Sequence, residues 1–145
     1  MIEILKTINN EIIRSDMYED GVWVNIVNPS DEELSDITTK LNVEFVFLKS
    51  ALDEEERARI ESIDGQTLLI VDIPIIDKGS RKEQYTTILL AIILMKHMVI
   101  TVCLKDNILL NDFKNNKVKT FCTQFKTRFI FQILYKNSTV NLQYF

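Results

Sequence analysis

Asp64-Gly65 lies between two β-rich runs, residues 59–63 and 67–76, and no other pair restricts the fold as strongly. A two-residue type I′ turn needs positive φ at both central positions. Asp and Gly accept that with little strain, so the flanking runs are expected to pair as an antiparallel hairpin. The second run carries Leu68-Leu69-Ile70-Val71, apolar at consecutive positions. A strand of that kind is covered from both sides and reads as central to its sheet. Pro74 cannot donate to a ladder and marks that strand's end. The wider stretch 48–74 runs from a short apolar helix through an acidic run into this hairpin, and the remaining elements complete its sheet.

Residues 2–13 are apolar-rich with Asn9-Asn10 in the middle, which predicts a strand or a strand pair. A polar turn over 17–21 leads into 22–27, a strand by its β-branched and aromatic content. Asn28-Pro29 stops it, and Ser30-Asp31-Glu32-Glu33 opens a helix with a capping box, its acidic first turn favoured by the helix dipole. Leu34, Ile37 and Leu41 share one face of that helix, and Asn42 is placed to end it. Phe45, Leu48 and Leu52 mark a second, short helix. It is apolar nearly all round, as expected of a helix wedged between layers.

Beyond the hairpin, residues 77–84 read as a charged loop, and 85–94 and 99–104 as two more buried strands turning near Lys96-His97. A helix is expected to open on Asp106-Asn107 and to carry Ile108, Leu109, Leu110 and Phe113, with a lysine-rich turn after it. Phe121, Phe125 and Phe129 recur every four residues, which predicts a last helix over 120–145. Its apolar character runs on through Val140, Leu142, Tyr144 and Phe145 without a cap, so the natural chain is expected to continue as helix. This order gives one domain over 1–145 of α/β (α+β) class. Its sheet is mixed and largely antiparallel, with helices on both faces.

The formal charge of −4 argues against a nucleic-acid surface. Cys103 and Cys122 lack motif spacing, and Cys103 reads as a small buried hydrophobe in a strand. The start Met1-Ile2-Glu3 has no signal-peptide pattern, which points to a reducing cytosolic setting. The apolar runs 88–95 and 98–104 are divided by Lys96-His97 and fall short of the ~20 residues a spanning helix needs.

No phosphate-binding glycine loop, nucleophile elbow or His-Glu-x-x-His motif is present, and no residue is assigned a catalytic role. His97, the one histidine, belongs at a surface turn. Asp53, Glu54, Glu55 and Glu56 offer oxygens suited to a hard cation. Four consecutive side chains cannot converge on one ion, however, and a charge run after a helix is ordinarily solvated. Arg57 and Glu61 are read as a structural salt bridge at the mouth of the hairpin, and an extended chain would put Arg59 on the same side. Trp23 reads as a core or interface aromatic.

The series Trp23, Asn28-Pro29 with an acidic helix start, Leu52-Asp53, Arg57-x-Arg59-Ile60-Glu61 and a strand closing at Ile73-Pro74 resembles the amino-terminal cytoplasmic domain of CorA-type divalent-cation transporters. Tyr85-Thr86-Thr87, Arg128-Phe129 and Gln132-Ile133-Leu134-Tyr135 resemble it too, so the likeness covers nearly the whole chain. It implies a three-layer αβα sandwich whose last helix continues as a stalk. It implies assembly as a homo-pentamer on the cytoplasmic side of the cell membrane, and a pore formed by transmembrane segments carrying a Gly-Met-Asn signature. That signature does not occur here. The implied task is regulatory, the fragment itself being unable to transport, with no tightly bound cofactor and magnesium as transported or regulatory ion. Phe129 and Tyr135 join Trp23 as expected core or interface aromatics.

Well-known members of the family that the chain resembles carry a Glu-Asp pair before the Leu-Asn/Asp step, and those carboxylates bind the regulatory ion between subunits. Alignment on Leu52, Arg57 and Glu61 puts Lys49 and Ser50 at that pair. A lysine ammonium repels a divalent cation and serine offers one neutral oxygen, so the usual metal site is expected to be absent, or rebuilt with Asp53. Two other classes compete with the transporter reading. One is a stand-alone cytosolic α/β enzyme with an acidic metal site at residues 53–56; the other is an oligomerisation module without a ligand.

Overall fold

The computed structural model describes residues 1–77 and 84–144, with side chains described for 1–75 and 86–140. The charged loop expected over 77–84 and the apolar end at Tyr144-Phe145 therefore fall essentially outside the described residues. Strands β1 (Ile2–Ile8) and β2 (Glu11–Ser15) form a hairpin, resolving the first apolar segment as a strand pair. Its turn residues Asn9 and Asn10 have φ of 51° and 65°. Asn tolerates the left-handed region better than most residues, so Asn-Asn serves here as a two-residue turn. Strand β3 (Trp23–Val27) pairs antiparallel with β1.

Helix α1 (Asp31–Leu41) starts as its sequence dictates. Ser30 Oγ accepts from the Glu33 N–H at 3.1 Å, and the Ser30 N–H donates to Glu33 Oε1 at 3.0 Å. Asn42 closes the helix in the left-handed conformation, with φ 53°. Helix α2 (Phe45–Ser50) follows, then β4 (Arg59–Ile63) and β5 (Gln66–Asp77), joined at Asp64 and Gly65 with φ of 48° and 80°. Strand β6 (Gln84–Leu94) folds back along β5, and β7 (Val99–Cys103) lies between β6 and β3. Helices α3 (Ile108–Lys114) and α4 (Lys126–Tyr144) complete the chain.

The sheet order is β2-β1-β3-β7-β6-β5-β4, and among the described residues only the β3–β7 pairing is parallel. Alternate residues of each inner strand enter different cores. Val24, Ile26, Ala91, Ile93, Ile100 and Val102 pack with Leu34 and Ile37 of α1 and with Phe47 and Leu48 of α2. Trp23, Val27, Leu90, Ile92, Val99 and Cys103 pack with Leu109, Leu110 and Phe113 of α3 and with Phe129 and Ile133 of α4. Period-two alternation puts the two sets on opposite faces, so both faces are covered by helices.

Three details differ from the expectation. The centre of the sheet is β7, not β5, which is next to the edge. Leu68 and Ile70 are buried because α2 and the first core cover that face, while Leu69 and Val71 are half-buried beside the second core. Helix α4 begins at Lys126, not near 120: Phe121 is buried and Phe129 fully buried, but Phe125 lies 56 % exposed before the first turn. The four-residue spacing of the three phenylalanines thus mixes one loop residue and one helix-start residue with a core position. Helix α2 is not wedged between layers. It buries Phe47 and Leu48 against the sheet and leaves Phe45 and Val46 exposed, as a six-residue helix on a surface does.

Candidate functional site

The segment from α2 to β4 carries most of the side chains that the sequence singles out. Lys49 and Ser50 are consecutive on α2 and point differently. The Lys49 ammonium lies over the Phe45 ring, 5.3 Å from its centroid. Ser50 is buried, and its hydroxyl donates to the Phe47 carbonyl at 2.7 Å. A hydroxyl bound within its own helix is not directed at a ligand in solvent. Both residues line a surface groove of about 470 Å³ that also touches Leu52, Asp53 and Glu56.

The acidic run is spread out. Asp53 is exposed, and its Oδ1 accepts from the Glu55 N–H at 3.0 Å as a turn contact. Glu54 and Glu55 face solvent. Glu56 is half-buried and bound by Arg59 Nη1. Among the described residues no group of three or more His, Cys, Asp or Glu is placed to hold a metal ion.

Arg59 also reaches Glu61, with Nε to Oε2 at 3.3 Å. The expected Arg57–Glu61 pair is therefore corrected. Glu61 pairs with Arg59, while Arg57 is exposed in the loop before β4 and makes no ion pair among the described residues. The reason is strand geometry: residues 59 and 61 both lie in β4 and share one side, whereas 57 precedes the strand. Hydrogen bonding to Glu56 and then to Glu61 raises the Arg59 pKa above its ordinary value.

Trp23 is fully buried, its ring edge-on to Phe129 with centroids 4.9 Å apart and to Phe121 at 5.9 Å. Such tilted arrangements suit the ring quadrupoles. Tyr135, expected with Trp23 and Phe129 to be a core or interface aromatic, is 78 % exposed and belongs to no core; α4 carries it on its outer side, two residues past buried Ile133.

A buried polar chain, invisible to motif reading, starts at Trp23. Its Nε1 donates to Thr101 Oγ1 at 2.8 Å, and that hydroxyl donates to Asn25 Oδ1 at 2.9 Å. Asn25 Nδ2 continues to Glu3 Oε1 at 3.3 Å, where Lys114 Nζ also donates at 3.1 Å. Arg14 binds the other Glu3 oxygen at 2.6 Å. Burial works to raise the Glu3 pKa, but hydrogen bonds from Lys114 and Arg14 outweigh it and hold the carboxyl below its ordinary value. Its one signal in sequence is a carboxylate inside an apolar strand. Lys114, more than a hundred residues away, gives none. Among the remaining groups, His97 is exposed at the β6–β7 turn and lies 3.3 Å from Asp20, and burial pushes the Cys103 thiol up to about 11.

Comparison with known proteins gives these surfaces a context. Residues 18–145 match the family described as CorA-like Mg2+ transporter protein. The cobalt/magnesium transport protein CorA of Methanocaldococcus jannaschii is 28% identical over 81 residues, 56% of this chain and 24% of that protein. The complete structure of that organism's CorA magnesium transporter superimposes with a TM-score of 0.77 at 18% identity, covering 99% of this chain and 48% of the other. The structure of its soluble domain gives a TM-score of 0.73 at 21% identity, covering 99% and 60%. The chain thus spans less than half the length of the complete protein it matches.

Proposed function

The chain belongs to the CorA-like Mg2+ transporter family, and from that premise we propose that it is the cytoplasmic domain of a divalent-cation transport protein. The observation that carries the reading is the superposition of nearly the whole chain on a soluble CorA domain. Among the described residues no helix is long and apolar enough to cross a membrane, so conduction is assigned to segments outside this chain. Family membership points to transport rather than catalysis, which disfavours the cytosolic-enzyme alternative.

The domain's role is regulatory and homo-oligomeric, a pentamer as the family resemblance implies. Its subunit contacts bias the pore according to the ion concentration on the cytoplasmic side. Regulation does not run through a carboxylate pair on α2. Lys49 contributes a positive charge at the groove, and Ser50 is turned into its own helix. A divalent ion would be repelled by the first and offered at most one buried, neutral oxygen by the second.

The test is a graft. This chain replaces the soluble domain of a CorA transporter, and magnesium uptake into proteoliposomes is compared with that of the ungrafted transporter and of the chain alone. The graft is expected to conduct, the chain alone to give no flux. A graft that assembles in the membrane but passes no ion under any magnesium gradient would overturn the proposal.

A further inference from the structure

The margins of a sheet carry backbone N–H and C=O groups that no strand pairs. Among the described residues such groups lie along β2, along β4, and on the part of β5 past Ile70 that β4 does not cover. The β2 and β5 margins are guarded. The Ile12 N–H of β2 donates to Asn116 Oδ1 at 3.2 Å. On β5 the Asp72 carbonyl accepts from Asn137 Nδ2 of α4 at 3.0 Å, and Pro74 has no N–H to offer. Strand β4 has no such guard among the described residues.

The hairpin register fixes which groups β4 presents. Ile63 and Gln66 flank the two-residue turn and exchange hydrogen bonds, and bonded pairs alternate along the ladder. Glu61 and Arg59 therefore also turn their N–H and C=O toward β5, while Ile60 and Ser62 direct theirs outward. Both of these residues are exposed, Ile60 by 74 %. A large β-branched side chain thus stands on an open edge beside unpaired donors and acceptors.

We propose that β4 pairs antiparallel with β4 of a second copy of this chain, about a twofold axis at Ile60. The outward backbone groups of Ile60 then exchange hydrogen bonds with those of its counterpart, and the two exposed side chains meet. Directly opposed residues share a face, which favours unlike charges and disfavours like ones. With the axis at Ile60, each Arg59 opposes a Glu61, the residue types that already meet at 3.3 Å within one chain. Moving the axis to residue 61 sets Glu61 against Glu61, and moving it to residue 59 sets Arg59 against Arg59. Either shift also opposes residues whose backbone groups are bonded to β5. Charges on an edge strand ordinarily keep edges apart, and these do so in the neighbouring registers while leaving one open. Any extended segment could use the hydrogen bonds, but a copy of β4, run in reverse, brings acid and base in the order that Arg59 and Glu61 require. The contact is isologous, so it is distinct from the head-to-tail contacts that close a pentamer, and it does not rest on the transport reading.

The test is sedimentation of the 145-residue chain at low salt from about 10 μM to about 1 mM, with amide spectra of the nitrogen-15-labelled chain over the same range. A five-residue edge buries less than a standard interface, so a weak, concentration-dependent dimer is expected. The Ile60 and Ser62 amides should shift with concentration and gain protection from solvent exchange. Ile60→Lys, at an exposed position, sets two ammonium groups against each other. It should weaken the dimer by about tenfold or more with the tryptophan fluorescence unchanged. Arg59→Glu alone and Glu61→Arg alone should each stay monomeric, since like charges then oppose. An equimolar mixture of those two variants should form a heterodimer, one chain bringing only acids and the other only bases to the opposed positions. A chain that stays monomeric to about 1 mM, an Ile60→Lys dimer as tight as the parent, or a mixture that does not associate would each overturn the proposal. An assembly that forms while the Ile60 and Ser62 amides stay unmoved would also overturn it, and would leave the transport reading intact.

Discussion

The indole N–H of Trp23 and the hydroxyl of Thr101 meet at 2.8 Å across the one parallel pairing among the described residues, β3 with β7, and neither residue is exposed to solvent. The contact joins the largest side chain of the second core to the polar chain that ends at Glu3. A single hydroxyl therefore satisfies an indole donor on one side and an Asn25 acceptor on the other. It also fixes the Trp23 ring against Phe129, and so the seat of α4 on the sheet.

Replacing that hydroxyl by a methyl group should therefore be costly although the side-chain volume hardly changes. Thr101→Val strands the Trp23 N–H and the Asn25 carbonyl in a dry site, and a buried unsatisfied group costs about 1–3 kcal/mol. Urea unfolding followed by the fluorescence of the single tryptophan checks this directly, since Trp23 is the reporter as well as the partner. Thr101→Ser should recover most of the loss.

Glu3 makes acid stability a second readout of the same chain. Its folded pKa lies below the 4.5 of an unperturbed carboxyl. A depressed carboxyl contributes stability that is complete above the unfolded value and is lost as pH falls through the folded one. The stability difference between the parent and Glu3→Gln should thus be largest above pH 4.5 and should shrink below it. A difference that stayed constant from pH 7 down to 3 would assign the effect of the substitution to lost packing instead.

Local grammar carried most of this architecture. Ser30 and Glu33 announce α1, Asn42 ends it, and Asp64-Gly65 fixes the hairpin register, because each of these signals acts within a few residues. What was not legible depends on contacts across the sequence. Leu68-Leu69-Ile70-Val71 reads as central because both sides are apolar, but strand order is set by which partner arrives, and β7 takes the middle. The Phe121-Phe125-Phe129 spacing reads as one helix because a count cannot see that the chain is still irregular at 125. In the candidate site, the alternation that puts Arg59 and Glu61 on one side was visible, yet Arg57 shares the helical spacing that competes with it. The Glu3–Lys114 contact spans 111 positions and has no local signature.

The ion pairs at β4 separate the two arginines by experiment. Arg59 bridges Glu56 and Glu61 on a partly exposed edge strand, where such pairs contribute about 0.2–1 kcal/mol each. A double-mutant cycle between Arg59→Ala and Glu61→Ala should return a coupling in that range, falling with added salt. The same cycle with Arg57→Ala should return zero within error.

Magnesium is expected to leave the α2 groove untouched. Calorimetric titration of the chain should show no saturable heat that depends on Ser50, and Ser50→Ala should titrate like the parent. Asp53 is the one carboxylate in the groove that lies beside Lys49 and Ser50 and is free of an arginine. Saturable binding abolished by Asp53→Ala would therefore mean that the site has been rebuilt around it, and binding abolished by Ser50→Ala would contradict the inward hydroxyl.

The two thiols should report opening of the second core. Cys103 is fully buried in β7, its Sγ near the Lys105 carbonyl at 3.2 Å, and its pKa is pushed up to about 11. Since the thiolate is the reacting form, almost none is present at pH 8, and burial denies the reagent access as well. Cys122 is half-buried in the loop before α4. A disulfide-exchange reagent at pH 8 should therefore label one thiol per native chain quickly and the second only as fast as the sheet opens. Thr101→Val weakens the hold of the same strand, two residues from Cys103, without replacing either cysteine. It should leave the fast phase unchanged and accelerate the slow one by the factor by which it raises the open population, about tenfold for each 1.4 kcal/mol of stability removed, where labelling tracks that population. Equal labelling of both thiols in the native chain would mean that β7 is not the closed centre of the sheet.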